Sequence, residues 1–105
     1  MKFLSKLKRV AAKSTHEYAF HSTLLLRGGA PVAWGHNHGE RHSEKVALGK
    51  VRNVGHGLVA INFRIKKTGE IGISKPCPAC ETLLRLSGVS SCYYSTSNGT
   101  FERLF

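Results

Sequence analysis

The stretch "GLVAINFRI", residues 57 to 65, decides how this chain folds. Leu58 to Ile61 run apolar without a break, and Phe63 and Ile65 follow with only Asn62 and Arg64 between them. A short apolar run that does not alternate with polar residues reads as a strand buried on both faces. A strand of that kind belongs to a sheet that carries helices on both sides. The polar turn Lys67 to Glu70 ends it.

Working outward, "AFHSTLLLRGGAPVAWGHN" (19–37) holds two β-rich runs that turn around Gly28, Gly29 and Pro31, the pattern of a hairpin. Before it, Phe3, Leu4, Leu7, Val10 and Ala11 recur at helical spacing with Lys and Arg between them. The spacing predicts an amphipathic helix over residues 2 to 13 that packs on the sheet. "RHSEKVALGK" (41–50) reads as a short helix. Downstream, "KPCPACETLLRLSG" (75–88) reads as a helix ended by Gly88, "VSSCYYST" (89–96) as a strand, and Asn98-Gly99 as a hairpin turn into a last short strand, "FERLF" (101–105). The order is helix, two strands, helix, strand, helix, two strands, with no repeat or linker. It predicts one domain over residues 1 to 105. The expected fold class is α/β, a three-layer α/β/α sandwich with one mixed sheet, right-handed crossovers, and the last two strands antiparallel.

Sixteen Lys and Arg face six acids, all Glu, giving a net charge of +10. Such a surface attracts phosphate, on a polynucleotide or a nucleotide, although charge alone also serves solubility. Three cysteines, an odd number with no apolar signal segment ahead of them, argue against a disulfide framework and for a reducing compartment. No stretch approaches the ~20 apolar residues that span a bilayer. The expectation is a soluble cytoplasmic protein without a membrane partner, in the host cytoplasm if phage-encoded.

Cys77 and Cys80 open a helix, where free backbone N–H groups and the helix dipole favour thiolates. Pro76 sets the turn before them and Pro78 suits the first helical position. A C-x-x-C pair fits zinc or a redox site, but a thioredoxin-like redox site needs a different order of strands and helices, so zinc leads. Further ligands lie in "HNHGERHSE" (36–44). His38 and His42 with both cysteines would close a four-ligand structural site. His42 alone would leave a fourth position open, with Glu44 beside it to move protons. His38-Gly39-Glu40 offers a rival H-x-E, but Gly39 disfavours a helix, whereas Val46, Ala47 and Leu48 after Glu44 can pack on the sheet. The metal ligands read from the sequence are therefore His42, Cys77 and Cys80, with Glu44 catalytic. His36 and His38 read as loop or substrate-facing residues, and Cys92, Trp34 and Phe63 as core.

H-x-E followed by P-C-x-x-C is the signature of zinc deaminases. The chain resembles the cytidine and deoxycytidylate deaminase superfamily, from "LLLRGGAPVAWGHN" through "HSEKVAL" to "YYSTSNGTFERLF". It is most similar to small phage and bacterial deaminases with a "KPCPAC...LL...GV...YYST..G.FERL" ending. Family members place G-x-N before the H-x-E helix, as Gly35-His36-Asn37 does here. The resemblance implies that Asn37 hydrogen-bonds the substrate sugar or base edge. Ser43 stands where many members have Ala, and the insertions that build effector sites in some relatives are missing. An antiparallel last strand is similar to the cytidine-deaminase and toxin branch. Those strands are parallel in the branch of RNA-editing adenosine deaminases and antiviral cytosine deaminases.

The implied reaction is hydrolytic conversion of cytosine to uracil with Zn2+ as cofactor, and with Glu44 carrying the proton to the ring and then to departing ammonia. Asn37, Ser43 and Tyr94 are the expected substrate contacts, Tyr94 by stacking on a base. Lys66, Lys67 and Lys75 are weaker candidates for guiding phosphates. The favoured substrate is single-stranded DNA or RNA. Free cytosine nucleosides or nucleotides are the alternative, and a zinc-stabilised nucleic-acid-binding module without turnover is a further one.

Overall fold

The computed structural model describes residues 3–14, 19–37, 42–51 and 57–105. Among them the elements run α1 (Leu4–Ala11), β1 (Ala19–Arg27), β2 (Ala30–His36), α2 (Ser43–Leu48), β3 (Leu58–Lys66), β4 (Ile71–Gly72), α3 (Pro78–Leu86), β5 (Val89–Ser95) and β6 (Phe101–Arg103).

The apolar run of β3 lies in the middle of one mixed sheet of order β2-β1-β3-β5-β6. On one side β1 pairs with it antiparallel along its full length, from Arg27 opposite Leu58 to Ala19 opposite Lys66. On the other side β5 runs parallel to its first half, and β4 pairs antiparallel with Arg64 and Ile65. Because side chains alternate along a strand, each face of β3 meets a different layer. Val59, Ile61 and Phe63 pack with Leu7 and Ala11 of α1 and with Leu24 and Leu26 of β1. Leu58 and Ala60 pack with Leu25, Ala33 and Cys92 of the sheet, Ala47 and Leu48 of α2, and Leu84 of α3. With α1 on one face and α2 and α3 on the other, the architecture is the three-layer α/β/α sandwich read from the sequence.

The hairpin turns on Gly28 and Gly29 at φ 60° and 78°, since a two-residue loop of this hand needs left-handed backbone at both central positions. Pro31 sits on the edge strand β2, where its missing N–H leaves no ladder bond unmade, and the register of the β1–β2 pair slips beside it. At the other end of the chain, Gly99 at φ 79° turns β5 into β6, which pairs antiparallel from Tyr93 opposite Arg103 to Ser95 opposite Phe101.

Several details differ from the sequence reading, and α2 and α3 are shorter than the stretches 41–50 and 75–88. The first helix is shorter, Leu4–Ala11, and buries Leu7, Val10 and Ala11. The last ladder stops at Arg103, although Leu104 N–H donates to the Cys92 carbonyl and the Phe105 carbonyl accepts from Cys92 N–H. A further strand, β4, follows the Lys67–Glu70 turn. With two residues it shows no alternation, so nothing in the pattern announces it.

Toward one end of the helix-paired face the core gives way to polar residues. Two residues before Leu25 on β1 comes Thr23, and two after Ala60 on β3 comes Asn62, both buried. The helices α2 and α3 begin over this polar end, which is also the carboxyl end of the parallel pair β3 and β5, where open α/β sheets place their ligands.

Candidate metal centre

Each of the two helices on this face is entered through a residue that can bind a metal. His42 is the N-cap of α2 with extended backbone (φ −74°, ψ 150°), and Cys77 is the N-cap of α3 (φ −67°, ψ 162°). Neither side chain caps its helix, a task normally given to Ser, Thr, Asp or Asn. Both are thereby free to face each other. Pro78 takes the first helical position and fixes the turn so that Cys80, in that same first turn, points back toward His42.

The result is a compact triad. One donor atom each from His42, Cys77 and Cys80 all lie within 4.8 Å of one another, and His42 Nδ1 stands 3.1 Å from Cys80 Sγ. The ligand-to-ligand edges of a tetrahedral zinc site with one nitrogen and two sulfurs are about 3.5–3.8 Å, so the side chains need only small adjustment. Two sulfurs and an imidazole favour a soft cation such as zinc over magnesium or calcium. His42 and Cys77 are exposed and Cys80 is buried, so the triad is open to solvent on one side.

Glu44 lies just inside α2, 5 % exposed. Burial pushes the Cys80 thiol well above the ordinary thiol range, and the neighbouring Glu44 carboxylate and Cys77 add to the shift. Without a cation this corner therefore disfavours a thiolate, while a bound divalent ion reverses that preference. Beneath the triad runs a buried polar line that the sequence reading did not find. Ser43 Oγ donates to Glu44 Oε1 (3.0 Å), lies 2.7 Å from Thr23 Oγ1, and Thr23 Oγ1 lies 2.7 Å from Asn62 Oδ1. Asn62 is fastened in turn by Ser74, whose hydroxyl donates to the Asn62 carbonyl (2.9 Å). The signal was present as three polar interruptions, Thr23, Asn62 and Ser74, within or beside apolar strands.

The structure brings His42, Cys77, Cys80 and Glu44 together. Asn37 comes next after β2, 6 % exposed, and its Oδ1 accepts the His21 N–H (3.0 Å), tying it to β1. Ser43 is 1 % exposed with its hydroxyl engaged by Thr23 and Glu44, so it supports the glutamate rather than facing a ligand. Tyr94, opposite Asn62 on β5, donates its hydroxyl to Glu102 Oε2 (3.0 Å), and that bond holds its proton more tightly than an ordinary phenol. Lys66, Lys67 and Lys75 are exposed around the β3–β4 turn and just before Pro76.

His36 departs from expectation. It pairs with Ser22, whose hydroxyl bonds to α1, and shares its strand face with Trp34, which packs against the α1 cluster. His36 therefore lies on the opposite side of the sheet from the triad. His38, Gly39 and Glu40, which carry the rival motif and the closed four-ligand site, lie outside the described residues.

Arg64, two residues beyond Asn62, has a buried Nε without a hydrogen-bond partner among the described residues, and its stem lies over Gly72, where a Cβ would stand 3.1 Å from Arg64 Cδ. Among the described residues no helix is long and apolar enough to cross a membrane. Compared with known proteins, the chain matches no family model and no curated sequence.

Proposed function

We propose that this chain is a zinc-dependent hydrolytic deaminase that converts cytosine to uracil, with single-stranded nucleic acid as its favoured substrate. The observation that carries the reading is the convergence of His42, Cys77 and Cys80 on one open position, with the buried Glu44 beside Cys80 and outside the ligand set. His42, Cys77 and Cys80 would hold the ion, which supplies Lewis-acid activation of water. Glu44 takes the proton that water loses on attacking C4, delivers it to the ring nitrogen, and passes a proton to the departing amine. Water is consumed and ammonia released, so atoms balance. Asn37, fixed by His21 at the rim of the same polar end of the sheet, is suited to orient the nucleoside.

The substrate assignment draws on the net charge of +10 and on the exposed Lys66, Lys67 and Lys75. His42 and Cys77 are exposed, so the triad itself is open to a strand from solvent.

The test is ammonia release and product mass from the zinc-loaded chain, measured in parallel on deoxycytidine, deoxycytidylate and a cytosine-bearing single strand. Wild type should turn over the single strand best. Glu44→Gln should keep the metal and lose about 10²–10⁴-fold in rate. Preference for the free nucleoside or nucleotide would replace the polynucleotide, and zinc binding with no turnover of any of the three would leave a structural site.

A further inference from the structure

The polar line below Glu44 contains an imbalance. Thr23, Ser43, Glu44 and Asn62 come from β1, α2 and β3, and are 0 %, 1 %, 5 % and 2 % exposed. They form three contacts in series: Asn62 Oδ1 to Thr23 Oγ1 at 2.7 Å, Thr23 Oγ1 to Ser43 Oγ at 2.7 Å, and Ser43 Oγ to Glu44 Oε1 at 3.0 Å. A hydroxyl carries one proton, so two hydroxyls cannot donate three bonds. The third proton must enter from one end. Either the Asn62 amide turns its Nδ2 toward Thr23, or Glu44 itself donates while it carries a proton.

Both ends permit this. The other bond of the Asn62 amide, from Nδ2 to the Ser74 carbonyl, is long at 3.5 Å and holds the amide weakly against turning. The main chain at Asn62 stays fixed meanwhile, because Ser74 Oγ donates to its carbonyl at 2.9 Å and lies 2.8 Å from Ser95 Oγ. The contact between the two hydroxyls can be donated from either side.

We infer that Thr23, Ser43 and Asn62 form a reversible hydrogen-bond relay that positions Glu44 in both of the states it passes through during turnover. With Glu44 as carboxylate the donors run Asn62 Nδ2, Thr23, Ser43, and end on Oε1. With the proton on Glu44 they run from Glu44 through Ser43 and Thr23 to Asn62 Oδ1. The carboxyl is thus held at one place whichever way the proton has moved, and the turn of the amide gives up the long Asn62 Nδ2–Ser74 bond. Thr23 and Ser43 are positioning residues, since they act on substrate only through Glu44. The catalytic meaning of the relay rests on the deaminase reading; its existence as a line of hydrogen bonds does not.

The experiment uses the zinc-loaded full chain with Thr23→Val, Ser43→Ala, the double variant and Thr23→Ser. Zinc content should be equal in all. Thr23→Val and Ser43→Ala should each lower kcat about tenfold at unchanged KM, the usual range for a residue that orients a reacting group. The double variant should lose no more than either single change, because both cut the same line, and Thr23→Ser should restore the rate. Independently of activity, the Glu44 side-chain carboxyl 13C resonance should shift in Thr23→Val, which does not touch it, and return in Thr23→Ser. A resonance unmoved by Thr23→Val, or losses that add in the double variant, would overturn the relay. A wild type inactive on every cytosine substrate would overturn the deaminase reading instead, and the carboxyl resonance would still decide the relay.

Discussion

Gly35 of β2 lies directly beneath Ala47 of α2: a Cβ built on the glycine would stand 2.5 Å from the Ala47 backbone nitrogen and 2.6 Å from the Ser43 carbonyl oxygen. Both obstacles are backbone, so an added methyl can be accommodated only by lifting the helix. That helix follows its N-cap His42 and carries Glu44, so its height over the sheet sets where both side chains stand. Gly35→Ala should cost about 2 kcal/mol of stability, as overpacking commonly does, and should weaken zinc binding as well. Gly49→Ala is the control, since its added Cβ meets nothing closer than 3.4 Å. Denaturant unfolding and zinc titration of both variants check this, and an undisturbed Gly35→Ala would show that α2 does not need its close seat.

Much of this arrangement was legible in the sequence because it follows from local patterns. The unbroken apolar run at Leu58 to Ile61 carried the two-sided burial of β3, and Gly28-Gly29 and Asn98-Gly99 carried the turns. The ligands could be read because Pro78 marks a helix start and His42 precedes the apolar residues of α2. What escaped were relationships across the sheet. Thr23, Ser43 and Asn62 lie far apart in the chain and meet only through the register that sets Thr23 opposite both Gly35 and Asn62. The face on which His36 falls is likewise fixed by its pairing with Ser22 rather than by its neighbours in sequence.

The ligand set makes a prediction about metal content. One zinc per chain should bind, and His42→Ala, Cys77→Ala and Cys80→Ala should each lose it, while His38→Ala keeps it. Because the Cys80 proton is held more tightly than in an ordinary thiol, zinc must displace it, and apparent affinity should rise with pH. Competition with a chromophoric chelator at several pH values measures both effects. Loss of zinc in His38→Ala as well would point to a closed four-ligand site.

The basic surface makes a separate one. Each phosphate of a single strand neutralised by the protein releases about 0.7 of a counterion, so affinity should fall steeply with salt. Reversing the exposed Lys66 and Lys67 to Glu should weaken single-strand binding and flatten that slope, leaving zinc and deoxycytidine turnover unchanged. Fluorescence anisotropy with a labelled oligonucleotide across a salt series reads the slope directly. The same slope in wild type and variant would remove these lysines from the path of the strand.

Cys92 gives the protein an alkaline liability unrelated to the metal. It lies fully buried in the core between the sheet and the helices α2 and α3, and burial pushes its thiol from an ordinary 9.0 to about 12, with the Glu44 and Glu81 carboxylates adding and Arg85 opposing. Between those two values the folded chain keeps the proton that the unfolded chain releases. The contribution is therefore complete below pH 9 and is lost as pH rises toward 12, with a slope of at most one proton, about 1.4 kcal/mol per pH unit. Zinc-loaded protein is used for both variants, because the protons that its two ligand cysteines take up on unfolding are then common to both and cancel in the comparison. Stability from urea unfolding at pH 8, 9 and 10 should fall more steeply for wild type than for Cys92→Ala, whose smaller side chain carries no proton to lose. Equal slopes would mean that the Cys92 thiol ionises in the folded chain as readily as in the unfolded one, and that solvent reaches this part of the core.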